Sequence, residues 1–376
     1  MKILVIAPTP FFADRGCHIR IYEEAKALIK KGHKIDIYTY HNGRDIKGLN
    51  IFRIIPIPWY KKISAGPSVH KIYLDILLLF RILFSCYFKN YDVIHAHLHE
   101  GCLIGWFVKV FLFFKPKLIF DAQGSLVGEM SAHGKLKGSF ALNIFYFLEK
   151  IILKMPNHIV CSSDEVKKYF IEKYNVKINK IELLEDGTDF SLIDKITANE
   201  LENIYINYKI PKNKKILIYT GGLSELKGVD FLLENFQKLI QNNKDYYLIV
   251  IGYPKVAWYE KMAEELRIQD NVKFLGQIKY ADMFKFLKIA DAAIDPKLEG
   301  TTEASGKIIN YMAASLPVIC QDNEKNKNYL KNNGFYFNEQ NINEKTIKAI
   351  NSGKINYNRE KLSWDNNITK LIKLYE

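Results

Sequence analysis

The chain of 376 residues has little cysteine, and its five thiols (Cys17, Cys86, Cys102, Cys161, Cys320) never fall at CxxC spacing. An odd count without paired spacing argues against a disulfide framework and against a structural zinc site, and points to a reducing cytosol. Long apolar runs are also missing. Asp75 and Arg81 interrupt Ile72–Phe88, and Lys109 interrupts Cys102–Phe114. Neither reaches the ~20 residues that a spanning helix requires, so both read as buried helices. The first apolar run stops at Pro8-Thr9-Pro10 before a signal-peptide core forms, and is expected to be a strand. The loop Pro8–Gly16 contains no GxGxxG, which demotes a dehydrogenase, and Gly306-Lys307 is followed by Ile308 rather than Ser or Thr, which removes the kinase-type P-loop. Acid is in deficit: 41 Asp and Glu stand against 54 Lys and Arg, a net charge of +13. That balance favours anionic partners without choosing among phosphates, nucleic acid and a membrane face.

What is present suffices for ordinary packed cores, with 48% hydrophobic and 13% aromatic residues over a length that suits two domains. Strands are expected at Lys2–Ala7, Lys34–Tyr40, Ile51–Ile55, Asp92–Ala96, Lys117–Asp121 and His158–Ser162. Tyr22, Ala25, Leu28 and Ile29 recur at helical spacing from His18 to Lys31, and Gly32 supplies the stop. The alternation then restarts, with strands at Lys214–Tyr219, Tyr246–Gly252, Val272–Leu275, Ala292–Pro296 and Pro317–Gln321 and helices at Val229–Ile240 and Ile308–Ala314. The polar segment Ile193–Asn213, part of it helical, is the natural boundary. Two doubly wound parallel-sheet domains in tandem follow, with ligand loops at the carboxyl ends of the strands and the cleft between them as the default site.

Several residues in those loops can carry chemistry. Gly16 permits close approach of a ligand at a helix start, although a turn glycine explains it equally well. His95 and His97 would face one side of an extended chain, but the nearby partners Asp121 and His133 form no convincing ligand motif. They read as polar strand-end residues, and no metal is expected. Gly221-Gly222 through Lys227-Gly228 links a strand to a helix, so its backbone can approach a phosphate and Lys227 can supply a point charge. A second loop, Glu299 to Ser305, opens a helix at Ser305-Gly306-Lys307, where free N–H groups can meet the same anion. Thr301, Thr302 and Ser305 could equally serve as caps.

This second loop, continuing to Asn310-Tyr311-Met312-Ala313-Ala314-Ser315-Leu316-Pro317-Val318, resembles the retaining, nucleotide-sugar-dependent glycosyltransferases of the GT-B fold. Arg15-Gly16, Lys31-Gly32-His33, Asp92-Val93-Ile94-His95-Ala96-His97, Asp186-Gly187-Thr188-Asp189 and Lys227-Gly228-Val229-Asp230 match the same family in order. The resemblance implies two Rossmann-like domains facing across a cleft: 1–190, joined by the returning C-terminal helix 360–376, for the acceptor, and 191–359 for the donor. It implies sugar transfer from a nucleotide diphosphate without a metal or other cofactor. Lys227, Glu303 and Gln123 would be catalytic. Gly16, Gly221, Gly222, Glu299, Ser305, Gly306, Lys307 and Asn310 would hold the donor, and His97 would stand on the acceptor side.

Three positions depart from the family pattern. Gly222 stands where an Arg is common, Gln123 replaces a His, and Asn310 replaces the second of two glutamates, leaving Glu303 or Glu299 as the first. The acceptor is expected to be a glycan or a lipid-linked molecule, and the aromatic and basic region Trp59–Lys89 suggests a lipid-linked one at the cytoplasmic face of a membrane. Nucleic acid is not expected as a partner, because no recognised motif interleaves basic and aromatic residues. A nucleotide-sugar epimerase of the same architecture and a non-catalytic polyanion-binding module are the alternatives.

Overall fold

A computed structural model describes residues 1–63, 68–132, 139–297 and 306–376. Their contacts divide the chain into two units, one formed by Met1–Asp186 with Trp364–Glu376 and the other by 187–297 with 306–363.

The first unit is built on seven parallel strands: β1 Lys2–Ala7, β2 Lys34–Thr39, β3 Asn50–Arg53, β4 Val93–His97, β5 Lys117–Ala122, β6 His158–Cys161 and β7 Ile181–Leu183. Their order is β3-β2-β1-β4-β5-β6-β7. The central strands read as unbroken apolar runs such as Ile3-Leu4-Val5-Ile6-Ala7, buried throughout, as a sheet covered on both faces requires. Chain direction across the sheet reverses between β1 and β4. Because parallel crossovers are right-handed, the helix Gly16–Lys30 falls on one face, and Lys71–Phe88, Leu98–Phe111 and Ser139–Ile152 on the other. The packing agrees. Gly16–Lys30 lies against the last helix, Trp364–Tyr375, while Leu98–Phe111 lies between Lys71–Phe88 and Ser139–Ile152.

The second unit repeats the plan with β8 Lys215–Thr220, β9 Tyr246–Ile251, β10 Val272–Gly276, β11 Ala292–Asp295, β12 Val318–Gln321 and β13 Gly334–Phe337, all parallel, in the order β10-β9-β8-β11-β12-β13. Its reversal lies between β8 and β11. The segment 193–213 belongs to this unit. Its helix Ala198–Tyr208 opens on a reciprocal cap between Thr197 and Glu200 and packs Tyr208 edge-on against Phe286.

Two strands were not expected. β7 (Ile181–Leu183) has three residues and β13 (Gly334–Phe337) four, and each is the last strand at one edge of its sheet. The first helix begins at Gly16 rather than His18, because Arg15 is the last extended residue and its carbonyl already accepts the Ile19 N–H at 2.8 Å. β4 runs on to His97, which puts His95 and His97 on one strand, while His99 falls in the helix Leu98–Phe111. No helix among the described residues is long and apolar enough to cross a membrane.

Candidate functional site

In a doubly wound sheet the strand ends on either side of the reversal part their connections, and ligands bind there. In the second unit those ends are Thr220 of β8 and Asp295 of β11, on neighbouring strands. The loop after β8 passes through Gly221-Gly222 to a short turn, Glu225–Lys227, and the helix Val229–Asn242. Gly228 joins turn to helix at φ +72°, a left-handed conformation that glycine adopts without strain. A Cβ there would stand 2.2 Å from the Pro296 carbonyl oxygen, so this glycine brings the two strand-end loops into contact. Gly252 acts likewise after β9, where a Cβ would lie 1.8 Å from the Gly221 carbonyl oxygen.

Beneath this backbone the polar groups are paired. Lys307, in the first turn of the helix Gly306–Ala313, contacts Asp295 at 3.1 Å, and its ammonium lies 4.6 Å from the centre of the Tyr219 ring. The same ammonium is 3.1 Å from where a Cβ on Gly221 would be. Lys307 is therefore held under Gly221, whereas Lys227 is half-buried at the end of its turn. The Thr220 N–H donates to the Tyr311 hydroxyl at 2.8 Å, and the Tyr219 hydroxyl donates to the Gly222 carbonyl at 2.8 Å. Burial, followed by the Asp295 carboxylate, pushes the Tyr219 phenol well above its ordinary range, so it remains a donor. Asn310 is buried, with its amide oxygen accepting from the hydroxyls of Tyr280 (3.3 Å) and Thr188 (3.4 Å). Glu299, Glu303 and Ser305 lie outside the described residues. Gly222 has open space beside it, the nearest atom to a Cβ being the Tyr253 carbonyl oxygen at 3.9 Å.

The first unit has its own reversal, and a buried ionic cluster collects there. Arg20 donates from Nε to Asp121 at 2.8 Å and from Nη1 to Asp186 at 2.7 Å, and approaches Glu24 at 3.1 Å one turn along its own helix. Asp121 also contacts His97 Nδ1 at 2.9 Å. The His95 and His97 rings stack with centroids 4.5 Å apart, as same-face residues of a strand should. His95 Nδ1 meets the Tyr375 hydroxyl at 2.5 Å, and Gln123 Nε2 lies 3.4 Å from His97 Nδ1. Gly16, one turn before Arg20, has nothing within 4 Å of a Cβ.

The charge states follow from these neighbours. Burial opposes ionisation of Arg20, but Asp121, Glu24 and Asp186 outweigh it and hold the guanidinium charged. Burial alone would raise Asp121; Arg20 and then His97 reverse this and hold it far below the usual carboxylate range. Glu24 goes the other way, raised well above the usual carboxylate range by burial and by the charge on Asp121. Burial, then His97, keeps His95 neutral. Glu24, His95, His97 and Asp121 could each turn a ligand atom within 4.8 Å of the others. The Arg20 guanidinium contacts both carboxylates of that set, so it supplies the positive charge which an ion would otherwise supply. His97 was expected beside an acceptor; it is buried here, and Gln123 is the partly exposed neighbour. His133 lies outside the described residues. Arg20 and Glu24 were missed, although their i,i+4 spacing was a readable ion-pair signal. Tyr375, 280 residues from His95, left no such signal.

Two Rossmann-like parallel-sheet units with glycine-lined loops at the second reversal define a GT-B protein. Comparison with known families agrees. Residues 15–192 match Glycosyltransferase Family 4, and residues 202–365 match Glycosyl transferases group 1. The chain belongs to the group 1 glycosyltransferases and is an enzyme of that class. Among its relatives, an uncharacterized glycosyltransferase of Methanocaldococcus jannaschii is 23% identical, the match covering 91% of this chain and 93% of the relative. The crystal structure of a glycosyltransferase from Rickettsia africae superposes with TM-score 0.74 at 19% identity, covering 100% of this chain and 97% of that one. Anabaena HepE in complex with UDP and glucose gives TM-score 0.72 at 15% identity, with 99% and 98% coverage.

Proposed function

We propose that the protein transfers a sugar from a nucleotide diphosphate donor to a glycan or lipid-linked acceptor, with retention at the anomeric carbon. The observation that carries this reading is the convergence of the β8 and β11 loops, where Gly228 sits against Pro296 and the half-buried Lys227 adjoins it. When the glycosidic bond breaks, negative charge grows on the departing diphosphate. A fixed ammonium and backbone N–H groups stabilise that charge most when they are already in place. HepE, which shares the fold, binds UDP and glucose. This supports a nucleotide-sugar as the donor class here.

In this reading Lys227 meets the diphosphate, with Gly221 and Gly222 giving it room and Ser305 and Gly306 adding N–H groups from the helix start. Lys307 fixes the Gly221 turn through Asp295. Glu303, or Glu299, holds the sugar hydroxyls, and Asn310 orients the ribose side. Gly16 and Gln123 line the first unit's share, with His97 acting on the acceptor side through Gln123. Gln cannot take a proton, so its part is hydrogen bonding. No metal or cofactor takes part.

Thermal-shift screening against UDP-, GDP- and ADP-sugars tests the donor class, since a ligand at 100 times its dissociation constant stabilises by about 2.7 kcal/mol. Lys227→Ala and Glu303→Ala should each lower transfer by about 10²–10³, the cost of removing one preformed charge-stabilising group. Wild-type rates in both variants, or isomerisation of the donor without any acceptor, would sink the reading.

A further inference from the structure

Three helices of the first unit, Lys71–Phe88, Leu98–Phe111 and Ser139–Ile152, lie side by side on one face of its sheet. Their inner sides are spent on the core, where Leu74, Leu78, Ile82 and Val108 are fully buried. Their outer sides are apolar too. Ile72, Ile76, Phe80 and Phe84 repeat every four residues along the first helix and are 69%, 50%, 64% and 65% exposed; Phe107 and Phe147 extend the same character over the second and third. Scattered exposed apolar residues are ordinary on a protein surface, but a contiguous face across three neighbouring helices marks an interaction site.

The charges on these helices indicate what it meets. Each acid in them is engaged: Asp75 accepts from the Tyr40 hydroxyl at 2.6 Å, Glu100 pairs with Lys71 at 2.6 Å, and the buried Glu149 accepts from the Tyr174 hydroxyl at 2.6 Å. The exposed charges at the ends of the second and third helices are Lys115, Lys150 and Lys154. A second copy of the chain would bring like-charged rims together. An anionic bilayer complements both features, taking the aromatic side chains at its interface and the ammonium groups at its headgroups.

We propose that this three-helix face docks on an anionic lipid surface. It extends the lipid-linked part of the proposed function, but its deciding readout, flotation, uses no sugar donor and so can fail while transfer stands. The protein should float with phosphatidylcholine vesicles that contain phosphatidylglycerol, and far less with phosphatidylcholine alone. Phe80→Ser combined with Phe107→Ser and Phe147→Ser should abolish flotation without changing the circular dichroism spectrum. Replacing Lys115, Lys150 and Lys154 by Gln should lower the partition coefficient by on the order of a hundredfold. Transfer to a water-soluble acceptor should be unchanged in both variants. No flotation at low salt, or undiminished flotation of both variants, overturns the proposal. So does a dimer, found by sedimentation without flotation, that the phenylalanine substitutions disperse.

Discussion

Two glycines at strand-end loops have opposite surroundings. Gly228 combines φ +72° with a carbonyl oxygen 2.2 Å from any Cβ, and that oxygen belongs to backbone rather than to a side chain that could swing away. Gly228→Ala should therefore incur more than about 1 kcal/mol for the backbone conformation and a further ~1–3 kcal/mol for the contact. The urea midpoint should fall with the slope unchanged. Gly16→Ala is the contrasting case, a first-turn residue with nothing within 4 Å of the added methyl. It should leave the midpoint unchanged or slightly raised. If sugar transfer nevertheless drops, the methyl is obstructing a substrate rather than the fold. A Gly16→Ala enzyme with full activity would remove Gly16 from the donor site.

At the scale of elements, the helix Lys71–Phe88 is tied to its neighbours by a polar group that titrates near neutrality. Burial, then the Glu100 carboxylate, raises Asp75 to about 7, against 3.8 for an ordinary aspartate. The folded state thus holds this proton more tightly than the unfolded chain does. Stability contributed by Asp75 is full below the unfolded value and is lost as pH rises through the folded one, so the window is pH 4 to 7. In Asp75→Asn that loss, roughly 1–3 kcal/mol after allowance for partial exposure, should disappear. Melting temperatures of the two proteins measured across this window should diverge as pH rises; parallel curves would refute the assignment. The same scale shows what was legible beforehand. Strands such as β1 and β8 announce themselves as apolar runs bounded by turn residues, and Gly221-Gly222 and Lys227-Gly228 mark a strand-to-helix ligand loop, with Gly228 the position where only glycine tolerates the close approach. The Arg20 cluster was hidden because its members come from Arg20, His97, Asp121, Asp186 and Tyr375. His97 and Asp121 could be read as strand-end polar residues, but their link to Arg20, Asp186 and Tyr375 emerges only when the fold brings them together.

At the scale of the whole molecule, the chain leaves the first unit at Asp186 and returns to it after Ser363. The returning helix Trp364–Tyr375 buries Trp364, Ile368, Leu371 and Tyr375 in that unit. Asn367 donates to the Glu185 carbonyl at 3.1 Å, and Lys30 pairs with Asp365 at 2.6 Å. Four large side chains at ~1.5–3 kcal/mol each give an upper bound of about 6–12 kcal/mol, comparable with the whole stability of a typical domain. Deleting residues 364–376 should therefore destabilise the unit that is distant in sequence rather than the one adjoining the cut. Hydrogen exchange followed by mass spectrometry can separate the two. Protection should collapse in β1, β4 and β5 and in the helix Gly16–Lys30, and persist in β8, β9 and the helix Val229–Asn242. Loss confined to the second unit, or spread evenly over both, would mean that the last helix is not a structural part of the first sheet's cover. Because Tyr375 also contacts His95, the same deletion exposes the ionic cluster to water, and Asp121 would then titrate closer to an ordinary aspartate.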